Sequence, residues 1–221
     1  MRSVAATARL LAAIAGAPGA PVLVLLTGGA SSLLVAPAEG LTLADKRRTN
    51  GLLLVSGARI DEMNAVRKHI SAVKGGRLAE RLAGRRVAAL VVSDVPGDDL
   101  SVIASGPTVA DPTTYADARR ILAAYGIEGR VPRRVLEHLD RGIAGAVPET
   151  SKPGAPALMR VRTLVLANNA TARAGAVAAA RRRGYRTVVN VRRPLTGATA
   201  AAARAFAARI RRCQTRLCGP L

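Results

Sequence analysis

The chain has 221 residues, of which 49% are hydrophobic and 22% charged, with a formal net charge of +20 at pH 7. That length allows one large domain, or a domain plus part of another, and enough apolar residues for a sizeable core. Aromatics are only 2% with no Trp, which removes the stacking platforms of single-strand nucleic-acid binders. Fourteen Arg and no acidic residue fall between Arg160 and Leu221, so the first 159 residues carry only +6, and a nucleic acid is not the expected partner.

The chain opens with a positive, Ala-rich stretch that reads as an amphipathic helix with Val4, Leu11 and Ile14 inward, not as a signal peptide. Pro18, Pro21, Gly28 and Gly29 interrupt the uncharged residues that follow, so no continuous membrane span is expected. Residues 22–26 (VLVLL) read as a buried parallel strand leading into Thr27-Gly28-Gly29-Ala30-Ser31-Ser32. Thr42 and Asp45 in TLAD signal a capped helix over 42–56, and Asp61 stands at the start of another over 60–71. Lys74-Gly75-Gly76-Arg77 breaks the chain before a short helix to residue 82. Residues 87–93 (VAALVVS) form a second strand, and 94–114 a long loop of the kind that is usually functional.

Helices are predicted at 115–125 and 132–140, then a loop at 142–156. Strands at 163–167 and 186–191 alternate with helices at 170–183 and near the C-terminus. Strands alternating with helices define an α/β fold on a parallel sheet with covered faces. Cys213 and Cys218 suit neither a disulfide framework nor a zinc site, so a reducing cytoplasm is the expected compartment.

Three clusters carry chemistry, all at strand or helix ends where α/β sheets bind ligands. Gly28 and Gly29 let the backbone approach an anion, with Ser31 and Ser32 as donors; the segment is neither a P-loop nor GxGxxG. Asn64-Ala65-Val66-Arg67-Lys68-His69 with Lys74 to Arg77 concentrates cations where the glycines end a helix; a solvated basic face is the alternative. Ser93-Asp94-Val95-Pro96-Gly97-Asp98-Asp99, followed by Ser105-Gly106-Pro107-Thr108 and Asp111-Pro112-Thr113, sends three carboxylates out of a buried strand. Hard oxygen ligands of that kind suit Mg²⁺ and phosphoryl transfer, although Asp and Gly also make turns.

The phrases TGGASSLL, NAVRKHISAVKGGRLA and SDVPGDDLSVIASGPTVADPTTYADA resemble the signature segments of glycerate 2-kinases of the MOFRL-associated type, with a DUF4147-type N-terminal domain. The likeness runs from about Val22 to Gly197. It implies a Rossmann-like parallel sheet with helices on both faces, and transfer of the ATP γ-phosphate to the 2-hydroxyl of D-glycerate with Mg²⁺. Under that resemblance Gly28, Gly29, Ser31 and Ser32 cradle an anionic group. Arg67, Lys68, Lys74 and Arg77 hold phosphate or the glycerate carboxylate, Lys68 also as a catalytic group. Asn64, Gly75, Gly76, Gly97, Ser105 and Thr108 complete the ligand-binding set. Sequence does not fix which carboxylate is the base; Asp94 leaves the strand first and is assigned that role, with Asp98 and Asp99 as metal ligands.

The resemblance also implies pieces not found in this sequence: an upstream Gly-Lys-Ala segment with a catalytic lysine, and a C-terminal MOFRL domain whose Gly-Gly-Arg-Asn motif carries an active-site arginine. Residues 1–197 are therefore expected to be a partial kinase-type domain and 198–221 a divergent Arg-rich tail, with weak or no activity for the chain alone. Two other readings stand beside the kinase. A non-enzymatic remnant would keep an anion pocket without turnover, and a hydroxypyruvate reductase would need a nicotinamide site, yet no GxGxxG follows any strand.

Overall fold

The computed structural model describes residues 2–185 and 197–216, which divide after Asn168 into two compact units. In the first unit β1 (Val22–Thr27), β2 (Val87–Val92) and β3 (Val161–Ala167) form one parallel sheet in the order β1-β2-β3. A helix α1 (Arg2–Gly16) precedes the sheet. The first crossover carries α2 (Ala30–Leu33), α3 (Leu43–Val55), α4 (Ile60–His69) and α5 (Arg77–Arg81). The second carries a 3-10 turn at Ile103–Ser105, then α6 (Tyr115–Ala124) and α7 (Arg133–Ile143). The second unit contains α8 (Asn169–Arg182) and α9 (Thr199–Arg216). The strand expected at 186–191 lies outside the described residues.

Local sequence explains the element ends. Thr42 Oγ1 accepts from Asp45 N at 3.1 Å while Asp45 Oδ2 accepts from Thr42 N at 2.9 Å, a reciprocal cap that starts α3. The same device starts α6, where Thr114 and Asp117 exchange bonds at 3.1 and 2.9 Å. Gly57, at φ +77°, lets the chain leave α3 in the left-handed region.

The largest core joins the crossover helices and not the sheet. Leu53, Val66, Ile70, Tyr115, Leu122, Val135 and Leu139 pack α3, α4, α6 and α7 into one cluster. On the sheet, Leu26, Val91, Ile103 and Ala104 form a second cluster, and Leu78, Leu82 and Val87 a third, against which Leu11 and Ile14 of α1 pack. Val4 is half-buried on the same helix, and Thr7 between these positions is buried, its Oγ1 accepting from Val35 N at 2.9 Å.

The strands alternate where the apolar runs suggested burial on both faces. Val22, Val24 and Leu26 turn inward, while Leu23 and Leu25 of β1, Val92 of β2, and Leu164 and Leu166 of β3 are exposed. Among the described residues no helix is long and apolar enough to cross a membrane.

Candidate functional site

Thr27 of β1 is in register with Val92 of β2, so the two strands finish level and release Gly28 and Asp94 at the same sheet edge. A Cβ on Gly28 would lie 1.9 Å from Asp94 Oδ2. The missing side chain is thus what lets the Asp94 carboxylate lie against the β1 turn. Gly29 faces open space.

Beside this edge a cleft of about 490 Å³ is lined by Gly28, Ser31, Ser32, Lys46, Asn50, Arg67 and Lys74, among others. Three of these are cations on different elements. Lys74 is buried, and its Nζ donates to Ser31 O at 2.9 Å and Ala104 O at 3.1 Å. Lys46 is equally buried and donates to Ile70 O at 3.1 Å and Arg67 O at 3.4 Å. Burial, reinforced by repulsion from Lys74 and Arg67, brings Lys46 down to about 7. Burial and the Arg67 charge bring Lys74 down to about 8. The two ammonium groups are therefore held where their charge is disfavoured, and an anion in the cleft would favour it.

Two polar atoms of the same cleft, Arg67 Nε and Asn50 Oδ1, are buried without a hydrogen-bond partner in the structure. Such orphaned groups are costly unless something completes them.

Against Ser31 lies backbone in a strained conformation. Ala104 (φ +54°) and Ser105 (φ +61°) are both left-handed without being glycine, followed by Gly106 at φ +59°. Each such residue costs of order 1–3 kcal/mol, and the surrounding structure must hold it. Here the hold is Gly75 N donating to Ser105 O (3.0 Å) and Gly76 N donating to Gly106 O (2.7 Å). The strain aims Ser105 Oγ at Asn64 Oδ1 (3.4 Å) and brings it to 3.3 Å from Ser31 Oγ. Ser31, Asn64, Ser105, Arg67 and Lys74 are thus brought together with Gly28, Ser32 and Asp94.

The other residues expected at the site are placed elsewhere. Lys68 points away from the cleft into an ion pair with Asp111, at 2.6 Å, with both side chains essentially inaccessible. Gly75 and Gly76 spend their N–H groups on the strained 104–106 segment, and their missing side chains make room for Thr150 and Ser151. They pack a loop and offer no donors to a ligand. Arg77 donates to Tyr115 Oη and Pro148 O at 2.7 and 3.0 Å and lines a different cavity. Thr108 is buried, and Gly97 occupies an open turn at φ +85°.

The three carboxylates also disperse. Asp98 Oδ2 accepts from Asn168 Nδ2 at 2.6 Å, and Asp99 Oδ1 accepts from Ser101 N at 2.8 Å. Among the described residues no group of three acidic, His or Cys side chains converges on a point. A metal site built from Asp98 and Asp99 is not preformed; Asp94 at the sheet edge is the carboxylate left facing the β1 turn.

Lys46 and Asn50 were missed in the sequence. They stand four apart on α3, one face of the helix, and KRRTN between two apolar stretches was the available signal.

With this geometry in view, the comparisons with known proteins are consistent. The chain belongs to the DUF4147 family (Domain of unknown function), whose model matches residues 1–140. It is 46% identical over 168 residues to glycerate 2-kinase of Pyrococcus horikoshii, covering 76% of this chain and 37% of that protein. It is 56% identical over 127 residues to a putative hydroxypyruvate reductase of Agrobacterium vitis, covering 57% of this chain and 29% of the relative. The crystal structure of glycerate kinase from Thermotoga maritima superposes with a TM-score of 0.70 at 39% identity, over 83% of this chain and 42% of that one. The chain thus spans well under half the length of the relatives it matches.

Proposed function

We propose that this chain carries the anion-holding part of an ATP-dependent kinase site acting on the 2-hydroxyl of D-glycerate. The observation that supports this reading is the convergence of Lys46, Arg67 and Lys74 on a cleft that already holds Ser31 and Ser32, next to the edge that pairs Gly28 with Asp94. Phosphoryl transfer is catalysed mainly by positioning and by charge placed around the transferring group. Arg67 and Lys74 hold a carboxylate or phosphate, and Ser31 and Ser32 supply hydroxyl donors. Asp94 accepts the proton of the attacking hydroxyl or ligates Mg²⁺.

Magnesium sites commonly use one or two carboxylates together with substrate phosphates, so a single Asp94 fits that pattern. Bound there, Mg²⁺ would neutralise charge on the transferring phosphoryl group. The relatives named as kinases favour this chemistry over hydride transfer. The turns after β1, β2 and β3 read TGGASS, SDVPGDD and NN, none of them the glycine pattern of a dinucleotide site.

The test is binding and turnover measured together. Arg67→Ala should weaken D-glycerate or nucleotide binding by the equivalent of about 1.5–3 kcal/mol without unfolding the protein. Unchanged affinity by calorimetry would return the cluster to a solvated basic face. The pH dependence has a defined sign. Because Lys46 and Lys74 are depressed to about 7 and about 8, an arriving anion favours their charged forms and binding takes up protons. Affinity should fall as pH rises through that window, and calorimetry in buffers of different ionisation enthalpy reads the uptake directly.

Gly28→Ala should leave thermal stability nearly unchanged, because the overlap falls on the mobile end of an exposed aspartate. It should still impair Mg²⁺-dependent nucleotide binding by displacing Asp94; intact binding would separate Asp94 from the site.

Turnover by the 221-residue polypeptide is a separate expectation. The lysine and arginine that the family resemblance implies in Gly-Lys-Ala and Gly-Gly-Arg-Asn segments do not occur in this sequence. ADP release with ATP, Mg²⁺ and D-glycerate should lie far below the usual enzyme range of roughly 1–10³ s⁻¹. A rate within that range would show that Lys46 or an Arg of this chain replaces them.

A further inference from the structure

A second cavity, of about 570 Å³, opens where the loop before α3, the loop between α4 and α5, α5 itself, α7 and the loop after α7 meet, and it shares no lining residue with the cleft. The turn at Gly75 and Gly76 separates the two. Lys74 goes to the cleft, whereas Arg77, three residues on, goes to the second cavity. Arg81 and Arg141 line it with Arg77, opposed by Glu39 and Glu80. Guanidinium groups therefore outnumber carboxylates, and Glu80 is already engaged, its Oε1 accepting from Ser151 Oγ at 2.6 Å.

The cations are not neutralised by one another's neighbours. Arg77 is anchored through Nη2 on Tyr115 Oη and Pro148 O, while its buried Nε has no partner in the structure. Arg81 Nε donates to Ala72 O at 3.2 Å, and among the described residues neither Arg81 nor Arg141 is in an ion pair. His138, 5% exposed, also lines the cavity. Its Nε2 lies 3.0 Å from the His69 carbonyl oxygen and donates there, which fixes the ring beside the guanidinium groups.

We propose that this second cavity is a binding site for a phosphate monoester, held by Arg77, Arg81 and Arg141 beside His138. Planar guanidinium forks match phosphate geometry, and a volume in the usual range for small-molecule sites leaves room for more than the phosphate itself. The site is independent of the kinase reading, because none of its residues belongs to the cleft.

The groups around His138 make the proposal measurable. Burial first, then the charges of Arg77, Arg141 and His69, hold His138 below its ordinary value, against the raising effect of its bond to the His69 carbonyl. The Tyr115 ring packs at 5.7 Å, and Glu39 and Glu80 are the acidic groups of the cavity. A bound dianion adds negative charge beside Arg77 and Arg141 and should move His138 upward.

The chain has only two histidines, so both imidazoles can be followed by ¹⁵N NMR. Titration with inorganic phosphate, against chloride at equal ionic strength, should shift the His138 ring signals saturably and raise its midpoint. Arg141→Gln, an exposed position, should weaken that response about tenfold. Arg81→Gln should weaken it similarly, while Arg67→Ala in the cleft should leave it intact. A His138 signal indifferent to phosphate would overturn the proposal, as would a response that survives Arg141→Gln and Arg81→Gln but disappears with Arg67→Ala.

Discussion

Replacing Lys68 with methionine is expected to destabilise the fold by about 3–5 kcal/mol, the usual consequence of removing one partner from a buried ion pair. Lys68 Nζ meets Asp111 Oδ1 at 2.6 Å where neither side chain reaches solvent. Asp111 Oδ1 also accepts from Thr113 N and Thr113 Oγ1, at 2.9 and 2.7 Å, and Oδ2 has no partner at all. Without the lysine, a carboxylate would remain buried with two neutral donors on one oxygen. Burial pushes the Asp111 carboxyl up, but the Lys68 bond and charge, with the Thr113 bonds, outweigh it and leave it below 3.8.

A depressed carboxyl of this kind contributes stability that is present above the unfolded value and lost as pH falls through the folded one. The penalty in Lys68→Met should therefore be largest near neutral pH and shrink on acidification, as Asp111 takes a proton. Urea melts at pH 7 and pH 4 measure it, and the double variant Lys68→Met/Asp111→Leu should recover part of the loss. Equal denaturation midpoints for wild type and Lys68→Met, together with lost ligand binding, would restore Lys68 to the catalytic role that its position in Arg-Lys-His suggests.

That contrast shows what the sequence could and could not reveal. Arg67, Lys68 and His69 are adjacent in the text, but successive helix positions are turned by about 100°. Arg67 consequently reaches the cleft, Lys68 reaches Asp111, and His69 reaches Glu149 at 2.9 Å. Clustered charge marked the right helix without identifying which face was functional.

Features set by local chemistry were legible. TLAD announced the α3 cap, and VLVLL and VAALVVS announced two parallel strands. Because parallel strands deliver their ends to one edge, Gly28 and Asp94 could be placed together before any coordinates. Features set by distant packing were hidden. Lys46 and Asn50 arrive from α3, and the 149–152 segment docks some seventy residues away from the glycines it covers. Gly75 and Gly76 were consequently counted among the ligand-binding residues, whereas in the structure they lie under that segment, with Thr150 and Ser151 where their side chains would be. The exposed face of the sheet was hidden for the opposite reason, since an aliphatic run reads alike whether one face or both are covered.

The docking of that loop gives the second large effect, expected from Gly76→Ala. Gly76 sits at φ +77°, and a Cβ there would lie 2.4 Å from Ser151 Cβ and 2.9 Å from Val109 O. The left-handed conformation alone costs an alanine about 1–2 kcal/mol. The overlap cannot be relieved by rotating a side chain, because Ser151 Cβ is fixed to a backbone whose N donates to Gly75 O and whose O accepts from Asp111 N. Relief requires moving the loop, and with it Glu149, which burial pushes up but which His69, Tyr115 N and Thr150 N hold down at about 2. Overpacking of this kind adds about 1–3 kcal/mol, for a total of roughly 2–5 kcal/mol.

Gly97→Ala supplies the comparison. Gly97 has nearly the same backbone, at φ +85°, but nothing lies within 4 Å of its would-be Cβ. It should lose only the conformational part, so the difference between the two denaturation midpoints isolates the contribution of loop docking. In Gly76→Ala the loop should also become sensitive to protease and the His69 ring signals should move, neither of which Gly97→Ala should cause. If both variants lose the same stability, the glycine pair is required only for its backbone conformation, and its N–H groups and missing side chains must be reconsidered as part of the anion site.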